Sequence, residues 1–272
     1  MNILFLGDIV GQPGVEAVRM LVPKIVTAEA IDLVIANAEN VCSGSGLTPR
    51  QYRQVRAAGV DLITMGDHIY RRSEILTVLE TEDRICKPAN FPRSAPGRDY
   101  VLAPARNGVI VAAFTLLGRT FMRPVDCPFQ AADRVLAEIG ARAKIIVVDM
   151  HAEATSDKYL MAHHLKGRVS AVLGTHTHVP TADEQLLGTT AFISDVGMTG
   201  PHESILGRRI DRVLSHALDF VPAAFDVATG DVRASGAIVD VDEASGHARG
   251  IRRIQERLPA SSDSDKQPPA LT

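Results

Sequence analysis

The chain has 272 residues, 46% hydrophobic and 22% charged, the balance of an ordinary globular protein. Lys plus Arg is 29 against 32 Asp plus Glu, a formal net charge of −3, which excludes a protein whose main task is coating a polyanion. Three scattered cysteines, Cys42, Cys86 and Cys127, form no CxxC pair, which excludes a disulfide framework and a thiolate zinc site; they read as buried, reduced thiols.

MNILFLGDIVG opens the chain without a basic segment, and no apolar run approaches the roughly 18–20 residues that span a bilayer, so the expected location is the cytoplasm. Short apolar runs then recur: Ile3–Leu6, Leu33–Ala38, Leu62–Met65, Val109–Leu117, Ile145–Val148, Val169–Leu173 and Ala191–Ile193. Their continuous apolar character predicts strands covered on both faces. Between them the pattern predicts helices over Val15–Ala28, Arg50–Ala58, Phe129–Ile139, Ser156–Leu165 and Ser204–Leu218, with Pro49 at a helix start and Gly59, Gly140 and Gly167 as stops. Strand–helix alternation gives an α/β fold with a mainly parallel sheet. From Phe225 the texture changes to antiparallel strands, with turns expected at Thr229-Gly230, Ser235-Gly236 and Ser245-Gly246. Residues 1–258 read as one domain, and the Pro-rich, polar 259–272 as a disordered tail.

Five of these runs end in polar residues of metal-ligand type: Asp8; Glu39 with Asn40; Asp67 with His68; His151; and His176 with His178. In an open α/β sheet the carboxyl ends of the strands share the edge where ligands bind. Three acids gathered there repel one another and lose hydration, and cations are the natural compensation. Imidazole and carboxylate together suit iron, manganese or zinc. About seven ligands exceed what one four-coordinate ion uses, so a pair of ions bridged by a carboxylate is expected.

The order Asp8, Glu39-Asn40, Gly66-Asp67-His68, His151 and Gly174-Thr-His176-Thr-His178 resembles the calcineurin-like metallophosphoesterases, in particular their bacterial branch of YmdB type. The resemblance runs from GDIVG (7–11) through NAEN (37–40), DMHAEATSDK (149–158) and GTHTHVPTAD (174–183) to GPHESILG (200–207). It implies a layered α/β/β/α sandwich and a 2′,3′-cyclic nucleotide 2′-phosphodiesterase with two metal ions, iron or manganese first and zinc next. Asp8, Asn40 and His178 would hold one ion, Glu39 would bridge, Asp67, His151 and His176 would complete the other, and His68 would be the general acid. A small cyclic nucleotide would be the substrate, with no membrane partner, no stable nucleic-acid complex, and a homo-oligomeric assembly.

Two departures stand out. Many metallophosphoesterases carry Asp-x-His at the first strand end, where this chain continues Ile9-Val10; Asn40 fills that place. Asp67 replaces the Asn of the usual Gly-Asn-His, an extra anion expected to tighten the second ion, weaken its Lewis acidity and favour protonated His68. Asp67 also keeps a different reading open, a weakly active or inactive metal- or nucleotide-binding regulator on the same fold, which rates with and without His68 discriminate. Glu153, Thr155 and Asp183 are candidates to orient ligand imidazoles, His202 and Glu203 to line the pocket, and Arg71 and Arg72 to meet phosphate. A dinucleotide-dependent oxidoreductase is disfavoured, because GDIVGQPG has the spacing GxxxGxxG and that reading leaves His151, His176 and His178 idle.

Overall fold

The computed structural model describes residues 1–259, so the expected disordered tail lies, apart from Pro259, outside the described residues. The elements in chain order are β1 (Asn2–Leu6), β2 (Asp8–Ile9), α1 (Gly11–Ala28), β3 (Ile31–Asn37), α2 (Pro49–Ala57), β4 (Leu62–Thr64), α3 (Ile75–Thr81), β5 (Ile85–Cys86), β6 (Val101–Pro104) and β7 (Ile110–Leu117). They continue with α4 (Pro128–Ile139), β8 (Ile145–His151), α5 (Thr155–Leu165), β9 (Ala171–Thr175), β10 (Gln185–Leu187), β11 (Thr190–Ile193), β12 (Met198–Glu203), α6 (Ile210–Asp219), β13 (Gly230–Val241) and β14 (Ala248–Arg257).

The strands divide between two sheets. The first runs β2-β12-β13-β1-β3-β4-β5, with β14 on β13; β1, β3, β4 and β5 are parallel, and β13 is antiparallel to β1. The second runs β10-β11-β9-β8-β7-β6, parallel at its centre with antiparallel edges. Side chains alternate across a strand, so each sheet presents two apolar faces. Ile3, Phe5, Leu33 and Ile35 meet Val111, Ala113, Val147 and Leu173 between the sheets. The opposite face of the first sheet packs on α1, α2 and α3, and that of the second on α4 and α5. The result is the expected α/β/β/α sandwich, with the C-terminal antiparallel strands built into the first layer.

Geometry outweighs composition at a few places. Ser235-Gly236 is no turn: it lies mid-strand in β13, where a Cβ on Gly236 would run into the Phe5 carbonyl. The helix expected from Ser204 starts at Ile210, because Leu206 and Gly207 adopt φ of 50° and 90° and Ser204 Oγ accepts the Gly207 N–H at 2.9 Å. Cys86 is buried, but Cys42 and Cys127 are partly exposed; all three are unpaired. Among the described residues no helix is long and apolar enough to cross a membrane.

Candidate metal centre

The carboxyl ends of both sheets meet at one place. The first sheet brings Asp8 in β2, Glu39 and Asn40 after β3, and Asp67 and His68 after β4. The second brings His151, the last residue of β8, and His176 and His178 just after β9. The site thus forms across two sheet edges rather than along one.

Two donor sets result. Glu39 Oε1 lies 3.2 Å from His151 Nε2, and Asp67 Oδ1 lies 3.3 Å from the same nitrogen and 3.7 Å from His176 Nδ1. His176 Nδ1 is 3.1 Å from His151 Nε2. Glu39, Asp67, His151 and His176 offer ligand atoms all within 4.8 Å of one another. On the other side of Glu39, Asp8 Oδ1 is 3.8 Å from His178 Nε2, and Asn40 Nδ2 is 3.3 Å from Asp8, Glu39 and His178. Metal bonds to N and O of about 2.0–2.2 Å place adjacent ligand atoms roughly 3 Å apart or slightly more, so the Glu39, Asp67, His151 and His176 set has cation-binding spacing, while in the other set only the Asp8–His178 distance runs between two ligand atoms. Asn40 is oriented differently from a ligand: its Oδ1 accepts from His68 Nδ1 at 2.8 Å, and its Nδ2 faces Asp8. An ion beside Asp8 requires this amide to turn end for end, since only the oxygen ligates.

The electrostatics fit cations. Asp8, Glu39 and His151 are buried, and among the described residues only imidazoles form ion pairs with Asp8, Glu39 and Asp67. Burial opposes ionisation of Asp8, but His178 and His151 hold its carboxyl below the usual range. Burial likewise opposes ionisation of Asp67, and His151 and His68 outweigh it. Burial alone would lower the His151 imidazole; Glu39, Asp67 and Asp8 raise it well above its ordinary value instead. Burial and neighbouring His151 lower His176, because a second cation beside the first is unfavourable. Three acids whose charge is balanced, among the described residues, only by imidazoles are a donor set that divalent ions satisfy better.

The candidate ligand rings are oriented from behind. His151 Nδ1 is 2.8 Å from Thr175 Oγ1, which donates to Asp149 Oδ1 at 2.6 Å. Asp149 Oδ2 accepts from Thr64 Oγ1 at 2.6 Å and Asn37 Nδ2 at 3.0 Å. Burial raises the Asp149 carboxyl to about 6. His178 Nδ1 donates to the Leu206 carbonyl at 3.1 Å, leaving Nε2 toward Asp8, and His176 Nε2 is 3.2 Å from Glu153 Oε2. His176 and His178 have φ of 93° and 67°, conformations that cost non-glycine residues about 1–3 kcal/mol each. Arg208 holds the loop after Asn40, donating to the Ser43 carbonyl at 2.8 Å and to that of Gly44. His68 is partly exposed; its N–H donates to Glu39 Oε2 at 2.9 Å, and its Nε2 is 3.8 Å from Asp67 Oδ2.

The remaining candidates make other contacts. Asp183 accepts from Tyr159, Thr181 and Ser194 and touches no ligand ring, and Thr155 is the first residue of α5. His202 donates toward the Gly200 carbonyl and lies near Ser235, and Glu203 sits beside Gly230, so both face β13. Arg71 and Arg72 pack on Gly46. Residue reading missed Asp149, Asn37, Thr64 and Thr175. The available signal was Asp149 itself, an acid inside KIIVVDMH at period two from His151.

An α/β/β/α sandwich with these candidate donors at its joined strand ends defines a metallophosphoesterase-like hydrolase. A family model described as YmdB-like protein matches residues 4–254. A 2′,3′-cyclic-nucleotide 2′-phosphodiesterase of Bacillus subtilis (strain 168) is 42% identical over 255 residues, covering 93% of this chain and 96% of that protein. A hypothetical protein from Thermus thermophilus superposes with a TM-score of 0.89 at 40% identity, over 95% of this chain and all of that one. A phosphatase from Mycoplasma pneumoniae superposes with a TM-score of 0.87 at 28% identity, over 94% and 93% of the two chains. The chain belongs to the YmdB-like protein family.

Proposed function

We propose that this protein is a dinuclear metal-dependent phosphodiesterase that opens 2′,3′-cyclic nucleotides at the 2′ ester and releases nucleoside 3′-phosphates. The observation that carries the reading is the donor set of Glu39, Asp67, His151 and His176, with Asp8, Asn40 and His178 on the other side of Glu39 and partly exposed His68 beside it. The name of the 42%-identical Bacillus relative supports the substrate class. Asp8, Asn40 with its amide turned, His178 and Glu39 would hold one ion, and Glu39, Asp67, His151 and His176 would hold the other; iron or manganese suits the donors, with zinc a third candidate. When bound, the ions supply Lewis acidity toward phosphate oxygens and make water a nucleophile at neutral pH.

The chain's own groups do the rest. The His68 backbone N–H is fixed by Glu39 Oε2, and Nε2, on the side of Asp67 Oδ2, is the ring atom proposed to serve substrate. Protonated His68 donates from Nε2 to the departing 2′ oxygen while a water oxygen enters in line on the opposite side of phosphorus. Residues 1–258 act as one domain, because the site takes ligands from both sheets. The protein works in the cytoplasm as a homo-oligomer. Self-association is supported by α6, where none of the residues is buried and Ile210, Leu214 and Leu218 share an exposed stripe. At a net charge of −3, no stable nucleic-acid complex is expected.

His68→Ala tests the acid. Turnover of 2′,3′-cyclic AMP should fall by about 10²–10⁴-fold with metal content unchanged. An unchanged rate contradicts the role, loss of metal makes His68 a ligand, and no turnover by the metal-loaded parent favours the regulator reading that Asp67 allows.

A further inference from the structure

The proposed metal reading leaves a fully buried ion pair unused. Lys158 in α5 and Asp195 after β11 are 2% and 1% exposed at their side chains, and Lys158 Nζ donates to Asp195 Oδ2 at 2.8 Å. Burying two charges is costly and persists where further hydrogen bonds complete the pair. Here those bonds go to Thr177, the residue between His176 and His178. The Thr177 N–H donates to Asp195 Oδ2 at 3.2 Å and its Oγ1 donates to the same oxygen at 2.6 Å. Lys158 Nζ reaches Thr177 Oγ1 at 3.4 Å. The other Asp195 oxygen accepts the Gly197 N–H at 2.8 Å.

The surrounding backbone is arranged to bring this carboxylate in. Side chains at Gly174 and Gly7 would overlap the carbonyls of Ser194 and Gly197, so two glycines admit the 194–197 segment between β9 and the start of β2. The Val196 N–H donates to the Gly174 carbonyl at 3.0 Å. The segment thus sits against Asp8 on one side and the His176–His178 turn on the other. That turn holds two histidines in left-handed backbone, a region uncommon outside glycine.

We infer that Asp195, charge-balanced by Lys158 and acting through Thr177, is a positioning residue that locks His176-Thr177-His178 in its left-handed turn, so that two imidazoles from one short segment face two different ions. Lys158 also ties this turn to α5, which follows His151, and couples the ligand-bearing ends of β8 and β9. The inference rests on the metal-centre reading above. The latch carries no catalytic proton and touches no ligand ring; it sets where the rings point.

The test uses the full chain, with Mn²⁺ alone as probe, measuring its dissociation constant by calorimetry and the melting temperature of the chelator-treated protein. Thr177→Val removes the hydroxyl and keeps the ion pair. The paired change Lys158→Met with Asp195→Asn removes both charges together. Loss of an orienting group typically weakens metal affinity about 10–100-fold, and that is the fall expected for both variants. Thr177→Ser should restore parent affinity, and the melting temperature of metal-free Thr177→Val should stay near that of the parent. If the paired change does not fold, Thr177→Val and Thr177→Ser decide alone. Unchanged Mn²⁺ affinity in folded Thr177→Val overturns the latch, as does failure of Thr177→Ser to rescue. A parent that binds no Mn²⁺ overturns the metal reading and the latch with it.

Discussion

A glycine decides whether the proposed centre can exist. Gly66 precedes Asp67, and a Cβ there would overlap Glu39 Oε2 and His151 Nε2, atoms of both donor sets. Gly66→Ala is expected to weaken metal binding by about 100-fold or more while the sheets survive, which metal titration with circular dichroism checks; unchanged affinity means the ligands sit elsewhere. The eight candidate side chains were legible because metal chemistry needs residue types that apolar strands otherwise avoid. Asp8, Glu39, Asp67, His151 and His176 each interrupt or end such a run, and the structure brings them together. Asn40 was legible as a neighbour of Glu39 but not in the direction its amide faces, which depends on its bond to His68. Asp195 and Lys158 were illegible: an Asp and a Lys are ordinary on a surface, and only the fold buries them beside Thr177.

Among the elements, long periodic segments were readable and short ones were not. The strands of β1, β3, β7, β8 and β9 follow the apolar runs, and α4 closes at Gly140 as expected. The two-residue β5 is too short to show a period and the glycine- and proline-containing β12 lacks β-forming composition; both exist because neighbouring strands offer them hydrogen bonds. Gly236 is the clearest case of context overriding composition. Within β13 it pairs with Leu6 on one side and Ile254 on the other, and its missing side chain lets Phe5 approach. Gly236→Ala should destabilise the protein by about 1–3 kcal/mol through this overlap, read as a lower urea midpoint with an unchanged slope. Since β1 leads directly to Asp8, metal affinity should fall with it; a neutral result would mean that β1 and β13 separate without cost.

The whole molecule places its candidate donors where two sheets end together, and neither half carries the complete set. The ligand inventory was visible along the chain, but periodicity does not state which strands share a sheet, so the meeting of two edges emerged only with the fold. At this scale α6 stands apart: Leu214 and Leu218 are 50% and 70% exposed, and Phe220 beyond them is 83% exposed. Leu214→Glu should shift sedimentation toward the monomer while turnover per site persists; an unchanged sedimentation coefficient would remove α6 from the assembly. The central claim, that both donor sets fill and act together on a cyclic phosphodiester, is tested most directly by titrating chelator-stripped protein with Mn²⁺ or Fe²⁺ while following 2′,3′-cyclic AMP hydrolysis and product identity. The account predicts a rate that saturates at two ions per chain and a product that is the 3′-phosphate. Saturation at one ion, a 2′-phosphate product, or full activity in the stripped protein would contradict it.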